Sequence, residues 1–216
     1  MKGRDELIGS TAILQHERAF LEGLTAILPE GARVVNIGGC TGSSSVAILR
    51  GARDIEDFYL WSIDIKDFPQ EWEYIEACGL ADPQRFEQIL GDSKVVGKGW
   101  STPVHLVFID GDHSLEGCKG DIEAWEPHIV EGGYLMLHDY EGPLAVGSVT
   151  QAVNEWFSKS RKREWMKVAK VDISVVFQWG GNGTKEYVET RATSVAFHWL
   201  RMYPDTITGK FMRGEQ

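Results

Sequence analysis

The chain has 216 residues, 43% of them hydrophobic and 25% charged, with a formal net charge of −10. This is the composition of one globular domain with extensions, and it excludes a disordered chain. The acidic balance argues against nucleic acid as a partner, because gripping phosphates takes a basic surface.

In chain order, residues 11–28 place Ile13, Leu14, Phe20, Leu21, Leu24, Ile27 and Leu28 at helical spacing, and Pro29 punctuates the end. The segment "RVVNIGGCTGSSSVAILRG" reads as a strand, a glycine turn and a helix. "DFYLWSIDI" is a second strand, "EWEYIEACGL" a helix, and "RFEQILGDS" a third strand ending in a polar turn. "VHLVFIDGDHS" is the fourth strand, and "LEGCKGDIEAWEPHIVEGG" reads as a helix running to the paired glycines. "YLMLHDY" is the fifth strand, "SVTQAVNEWFSK" a helix, and "WMKVAKVD" with "ISVVFQW" a tight antiparallel pair. Strands alternating with helices predict an α/β fold, a doubly wound Rossmann-like sheet. Seven strands are expected, mostly parallel with an antiparallel C-terminal strand. Residues 1–29 form a helical extension, 30–180 the domain, and 181–216 a C-terminal extension in which "ATSVAFHWLRMYP" has helical character.

The start "MKGRDELIGSTAILQHERAF" carries charges where a signal peptide needs an apolar core, and no apolar run approaches ~18 residues. Cys40, Cys78 and Cys118 form neither a CxxC pair nor a disulfide framework. Both features predict a cytoplasmic protein without membrane contact. Self-association stays open. The basic run at Lys159, Arg161, Lys162, Arg163 and Lys167 reads as a solvated loop. His16, His105, His128 and His198 read as ordinary surface or core residues, and Trp125, Trp156 and Trp199 as packing residues on helices.

Ligands of open α/β sheets bind beyond the carboxyl ends of the strands. Here those ends carry "NIGGCTGSSS", then Asp64, "GDS" at 91–93, "DGDH" at 110–113 and "HDY" at 138–140. Polar and acidic groups thus recur along one edge. Gly38, Gly39 and Gly42 let a ligand approach the backbone, and the following helix start offers N–H groups to an anion. The turn breaks the GxGxxG pattern, since Cys40 and Ser43 occupy the third and sixth positions counted from Gly38. That disfavours a pyrophosphate, and with it a nicotinamide cofactor, while leaving room for an amino-acid carboxylate. Asp64 at a strand end is placed to accept both hydroxyls of a ribose. A nucleoside bearing an amino-acid end and no pyrophosphate describes S-adenosylmethionine.

The order "VVNIGGCTGSSS … WSID … GDS … FIDGDHS … VEGGYLMLHDY" resembles the class I S-adenosylmethionine-dependent methyltransferases over about residues 30–180. Within them it is similar to small bacterial proteins with an "IDGDHSYEG" block and to metal-dependent O-methyltransferases. The resemblance implies that Asn36, Gly38, Gly39, Gly42 and Ser44 surround the methionine end. It implies Asp64 at the ribose, Asp92 and Ser93 at the adenine, and Asp110 beside the cofactor. Asn36 departs from the acid common at that position, and Cys40 from the middle glycine. It further implies a divalent ion on Asp110, His138 and Asp139, with His113 as general base toward a hydroxyl of a small-molecule acceptor. Magnesium favours carboxylate oxygens, whereas His138 suits manganese, zinc or iron better. Two expectations therefore stand: an ion other than magnesium, or none. The rival readings are a binding protein that keeps the pocket without turnover and, less favoured, an oxidoreductase.

Overall fold

The computed structural model describes residues 13–142, 147–159 and 165–180. Seven strands form one sheet: β1 Arg33–Ile37, β2 Tyr59–Asp64, β3 Phe86–Leu90, β4 Val104–Ile109, β5 Ile129–Leu137, β6 Trp165–Val171 and β7 Ser174–Trp179. Six helices accompany it: α1 Gln15–Ala26, α2 Ser43–Gly51, α3 Pro69–Ala77, α4 Ser93–Lys98, α5 Leu115–Trp125 and α6 Ser148–Lys159. The spatial order is β3-β2-β1-β4-β5-β7-β6. Strands β1 to β5 pair in parallel, and β7 lies antiparallel to both β5 and β6. This is the expected mixed sheet, with β7 as its reversed strand. No helix among the described residues is long and apolar enough to cross a membrane.

Alternation along the strands sorts side chains to two faces. Val34, Leu60, Leu106, Phe108 and Met136 face one way and pack with Leu21 and Leu24 of α1, Ile48 of α2 and Ile75 of α3. Val35, Ile63, Val107, Leu135 and Leu137 face the other way and pack with Ile122 and Trp125 of α5 and Val153 of α6. Strands sandwiched between helix layers become apolar at nearly every position, which is why these runs read as continuous hydrophobic stretches.

Two boundaries differ from the sequence reading. The helix expected to reach Gly132–Gly133 ends at Trp125, a single 3-10 turn covers Glu126–His128, and β5 begins at Ile129. Pro127 accounts for this, since it has no N–H to continue the α-helical ladder. The N-terminal helix is also no loose appendage. Leu21 and Leu24 are fully buried, and a side chain on Gly51 of α2 would collide with the Glu22 carbonyl of α1 at 2.2 Å. The segment 181–216, Trp199 and His198 included, lies outside the described residues, as do Arg161, Lys162 and Arg163.

If α1 is part of the core, Leu24→Ala should cost the whole domain about 2–5 kcal/mol, the range for truncating a buried leucine. Urea unfolding followed by tryptophan fluorescence checks this. A loss far smaller than that range would show α1 to be dispensable.

Candidate functional site

The strand order reverses between β1 and β4, so their carboxyl ends frame the crevice where ligands bind in such sheets. The ladder continues past the strands and sets the next residues in rank. Asp110 N–H donates to Ile37 O at 2.9 Å, Gly38 N–H to Ile63 O at 2.9 Å, Gly91 N–H to Asp64 O at 2.8 Å and His138 N–H to Ile109 O at 3.0 Å. Each strand thereby delivers its polar terminus to the same edge.

The glycine turn is shaped by crowding. Gly38 has φ +87°, and a Cβ there would stand 2.2 Å from the Asp110 carbonyl. A Cβ on Gly39 would meet Ser62 Oγ and Glu71 Oε1, at 2.0 and 2.5 Å. Asn36, next to this turn, is completely buried. Its Nδ2 donates to Ser44 Oγ at 2.9 Å and to Ser45 Oγ at 2.8 Å, and Ser45 Oγ in turn donates to Glu71 Oε1. Gln88 Nε2 donates to the other Glu71 oxygen at 2.9 Å. Burial raises the Glu71 pKa, favouring the neutral carboxyl. The acid missing at the end of β1 is thus met by one from α3, reaching under the loop.

Asp64 accepts from Lys66 N–H at 3.0 Å and from Cys40 N–H at 3.3 Å, which ties the two turns together. Asp92 caps α4 by accepting from Lys94 N–H at 2.9 Å, and this bond lowers its pKa. Ser93 Oγ donates to the buried Asp121, whose pKa is raised by burial and whose second oxygen, Oδ2, has no hydrogen-bonding partner. Trp125 Nε1 donates to Ser93 O at 3.0 Å, so α5 fixes this corner. A cavity of about 680 Å³ runs along Gly38, Asp64, Asp92, Ser93, Asp110 and His113. A second, of about 450 Å³, is walled by Ile13, Leu14 and Ile173 and floored by Gly39, Ser44, His138 and Asp139. Gly38, Cys40, Asp110, Gly111 and His113 border both.

At that junction acids and imidazoles alternate. His113 Nε2 lies 3.3 Å from Asp110 Oδ1, and its Nδ1 lies 3.2 Å from Asp139 Oδ2. His138 Nδ1 lies 3.0 Å from the same Asp110 oxygen and 3.5 Å from the same Asp139 oxygen. These last approaches are ion-pair contacts off the N–H direction, since Nδ1 makes no hydrogen bond. On the far side, His138 Nε2 meets Glu17 Oε2 of α1 at 3.1 Å. The Asp110 hydrogen bond holds the His113 pKa above its ordinary value against the opposing effect of burial. For His138, burial alone would lower the pKa, but the Asp110 and Glu17 carboxylates outweigh it and raise it to about 10.

This arrangement bears on the divalent ion that the resemblance implies. Ligation takes an unprotonated ring nitrogen, and both nitrogens of His138 face carboxylates. His138 can meet that requirement through Nδ1, which has no hydrogen-bonding partner, while Glu17 meets Nε2 as a carboxylate commonly meets the outer nitrogen of a ligating histidine. Among the described residues, the ligand atoms of Asp110, His113 and Asp139 gather within 4.8 Å of one another. Their imidazole is the one expected to act as base, and one imidazole cannot both hold an ion and take a proton. Asp110 and Asp139, with Nδ1 of His138, are the donors that would hold a divalent ion, which leaves His113 aside as base.

Residues 35–140 match the family model described as a methyltransferase domain. The methyltransferase likeness therefore spans β1 to the residues just after β5. Its fold is similar to that of a Corynebacterium glutamicum protein (TM-score 0.65, 19% identity, 78% of this chain and 82% of that one). It is similar also to the O-methyltransferase TomG of Streptomyces achromogenes, involved in tomaymycin synthesis and solved with S-adenosylmethionine (TM-score 0.64, 15% identity, 82% and 86% covered). An rRNA methylase from Streptococcus thermophilus shares the fold as well (TM-score 0.56, 13% identity, 74% and 93% covered). The methyltransferase match ends at Tyr140, so α1 and Glu17 lie outside it.

Sequence reasoning missed Glu17, Glu71 and Asp121. Glu17 left a trace, because it falls on the helical stripe of Ile13, Leu21, Leu24 and Leu28, where an acid is out of place unless paired. Asp121 left no signal of its own on its helix. Glu71 left no signal in its helix.

A raised histidine pKa adds stability that is complete below the unfolded value and lost as pH climbs through the folded one. For His138 that window runs from 6.5 to about 10. Urea melts across it should show declining stability, and His138→Gln should flatten the decline. Equal slopes in the two proteins would mean that His138 is not charged in the folded state.

Proposed function

We propose that this domain transfers a methyl group from S-adenosylmethionine to a hydroxyl of a small-molecule acceptor, with His113 as general base. The observation that carries the reading is the junction of the two cavities at Gly38, Asp110 and His113. The larger one, about 680 Å³ and lined by polar residues, takes the nucleoside, with Asp64 at the ribose and the Asp92–Ser93 corner at the adenine. Gly38, Gly39 and the start of α2 at Ser44 receive the methionine end, where free N–H groups favour a carboxylate. Asn36 and Gly42 serve from beneath, holding that turn. Asp110 then faces the sulfonium.

The smaller cavity receives the acceptor. Its hydroxyl gives its proton to His113 while the oxygen attacks the methyl carbon in line. The carbon–sulfur electron pair returns to sulfur, leaving S-adenosylhomocysteine. Asp110 and Asp139, at 3.3 and 3.2 Å, stabilise the imidazolium formed on His113. Holding both reactants in contact supplies much of the acceleration, and the base adds to it. A pocket of about 450 Å³ with apolar walls favours a compact acceptor, and the net charge of −10 disfavours RNA.

Titration calorimetry should show S-adenosylhomocysteine binding and no NADH binding. Asp64→Ala should weaken the former through loss of charge-assisted bonds contributing ~1.5–3 kcal/mol each. Binding of NADH alone would defeat the reading. Incubation of labelled S-adenosylmethionine with a panel of polyols and phenols finds the acceptor. With it, His113→Ala should lower turnover by ~10²–10⁴ and leave cofactor affinity intact. Because neighbouring carboxylates raise the His113 pKa, activity should climb with pH through a midpoint above 6.5. Undiminished turnover in His113→Ala would remove the base.

A further inference from the structure

The acceptor cavity is walled by two short pieces of chain that are far apart in sequence and tied to each other. Leu14 is the cap residue before α1, and its N–H donates at 2.9 Å to Oε2 of Glu17 in the first turn of that helix. Ile173 is the second residue of the tight turn between β6 and β7, whose ends Val171 and Ser174 pair. Its N–H donates to Oε1 of the same carboxylate at 3.2 Å, and Ser174 Oγ donates there at 2.7 Å. Asp172 in that turn also lies 3.2 Å from His16 Nδ1 on α1. One completely buried carboxylate thus anchors the backbone of both walls. The side chains of Leu14 and Ile173 are left to line the cavity.

Leu14 is 43% exposed, and Ile13 beside it only 3%. Among the described residues, every polar side chain lining the cavity belongs to the glycine turn and the start of α2, or to the strand ends around His113. The side chains of the walls offer an occupant no hydrogen bond. A hydroxyl pressed against them would lose its water without replacement, whereas apolar surface there is favourably removed from water. We propose that Leu14 and Ile173 select the acceptor, gripping the apolar body of a small molecule whose oxygen functions are confined to the end that meets His113. A polyol, with hydroxyls all round its rim, is refused by the same walls. The selection rests on the methyl-transfer reading, which is what makes the occupant an acceptor.

The probe is 2-naphthol, a fluorescent apolar body with one hydroxyl, titrated by anisotropy into the full chain saturated with S-adenosylhomocysteine. One equivalent should bind saturably, and an excess of myo-inositol should not displace it. Leu14→Asn and Ile173→Asn should each weaken the probe about tenfold or more, the loss expected for one aliphatic contact, and leave S-adenosylhomocysteine affinity unchanged. Both variants keep the backbone N–H that Glu17 accepts, and asparagine suits a helix cap and a turn. Absence of saturable binding overturns the proposal, as does undiminished binding in either variant or displacement by inositol. If a variant loses S-adenosylhomocysteine binding, the wild type decides. Ring protons of the probe should then show nuclear Overhauser contacts to the methyl groups of Leu14 and Ile173, and their absence overturns the proposal. Failure of the wild type to bind S-adenosylhomocysteine would defeat the methyltransferase reading instead, and the naphthol titration of the chain alone would still decide whether the walls grip an apolar body.

Discussion

A buried imidazole between carboxylates from three parts of the chain is the interaction on which the reaction edge depends. Glu17 comes from α1, Asp110 from the end of β4 and Asp139 from the end of β5, and all three lie within 3.5 Å of His138. Clustered acids repel, and burying them unpaired would cost several kcal/mol each. The His138 ring stands against all three. The same Glu17 also binds the turn between β6 and β7, so the far edge of the sheet closes on the same point. Removing a single partner would leave charge stranded in the interior, which makes the cluster a unit.

The nucleoside side is built on a different principle. Its centre is backbone: a glycine turn pressed against the Asp110 carbonyl so closely that no side chain fits. Polar groups beneath the turn hold it in place. Asn36, Ser44, Ser45, Glu71 and Gln88 form a chain of hydrogen bonds running from β1 through α2 and α3 to β3. The turn can therefore present bare N–H groups to a ligand without depending on that ligand for its shape. Such preorganisation lowers the ordering cost of binding.

The two halves meet at His113, which is 44% exposed along its side chain while Asp139 beside it is 4% exposed. That contrast suits the chemistry. In the proposed reaction the base has to reach a substrate from outside, and acids that tune it work best where water cannot screen them. The walls of the acceptor cavity come from Ile13 and Leu14 before α1 and Ile173 between β6 and β7, outside the matched methyltransferase segment. The matched segment thus supplies the floor of that cavity, and the residues flanking it supply the walls.

The sequence by itself determined the alternation of strands and helices, the apolar strands of a sheet covered on both faces, and the gathering of polar residues at the strand ends. These are local properties. Period, punctuation and composition are written in consecutive residues, and His113 beside Asp110 is a matter of three positions. Where the local signal was weak it erred, as with the helix that Pro127 stops before Ile129. Only the tertiary structure decided which charges are buried and what each one faces. His138 enters the expected ligand set through the resemblance alone, and nothing in that stretch announces Glu17, 121 residues away. Asn36 reads as a cofactor contact, and only the fold shows its amide donating to Ser44 and Ser45 of α2. Glu71 was invisible, because an acid on an ordinary helix is usually solvated. Protonation states and ligand roles follow from desolvation and from partners brought together by folding, and no pattern of neighbouring residues carries that information.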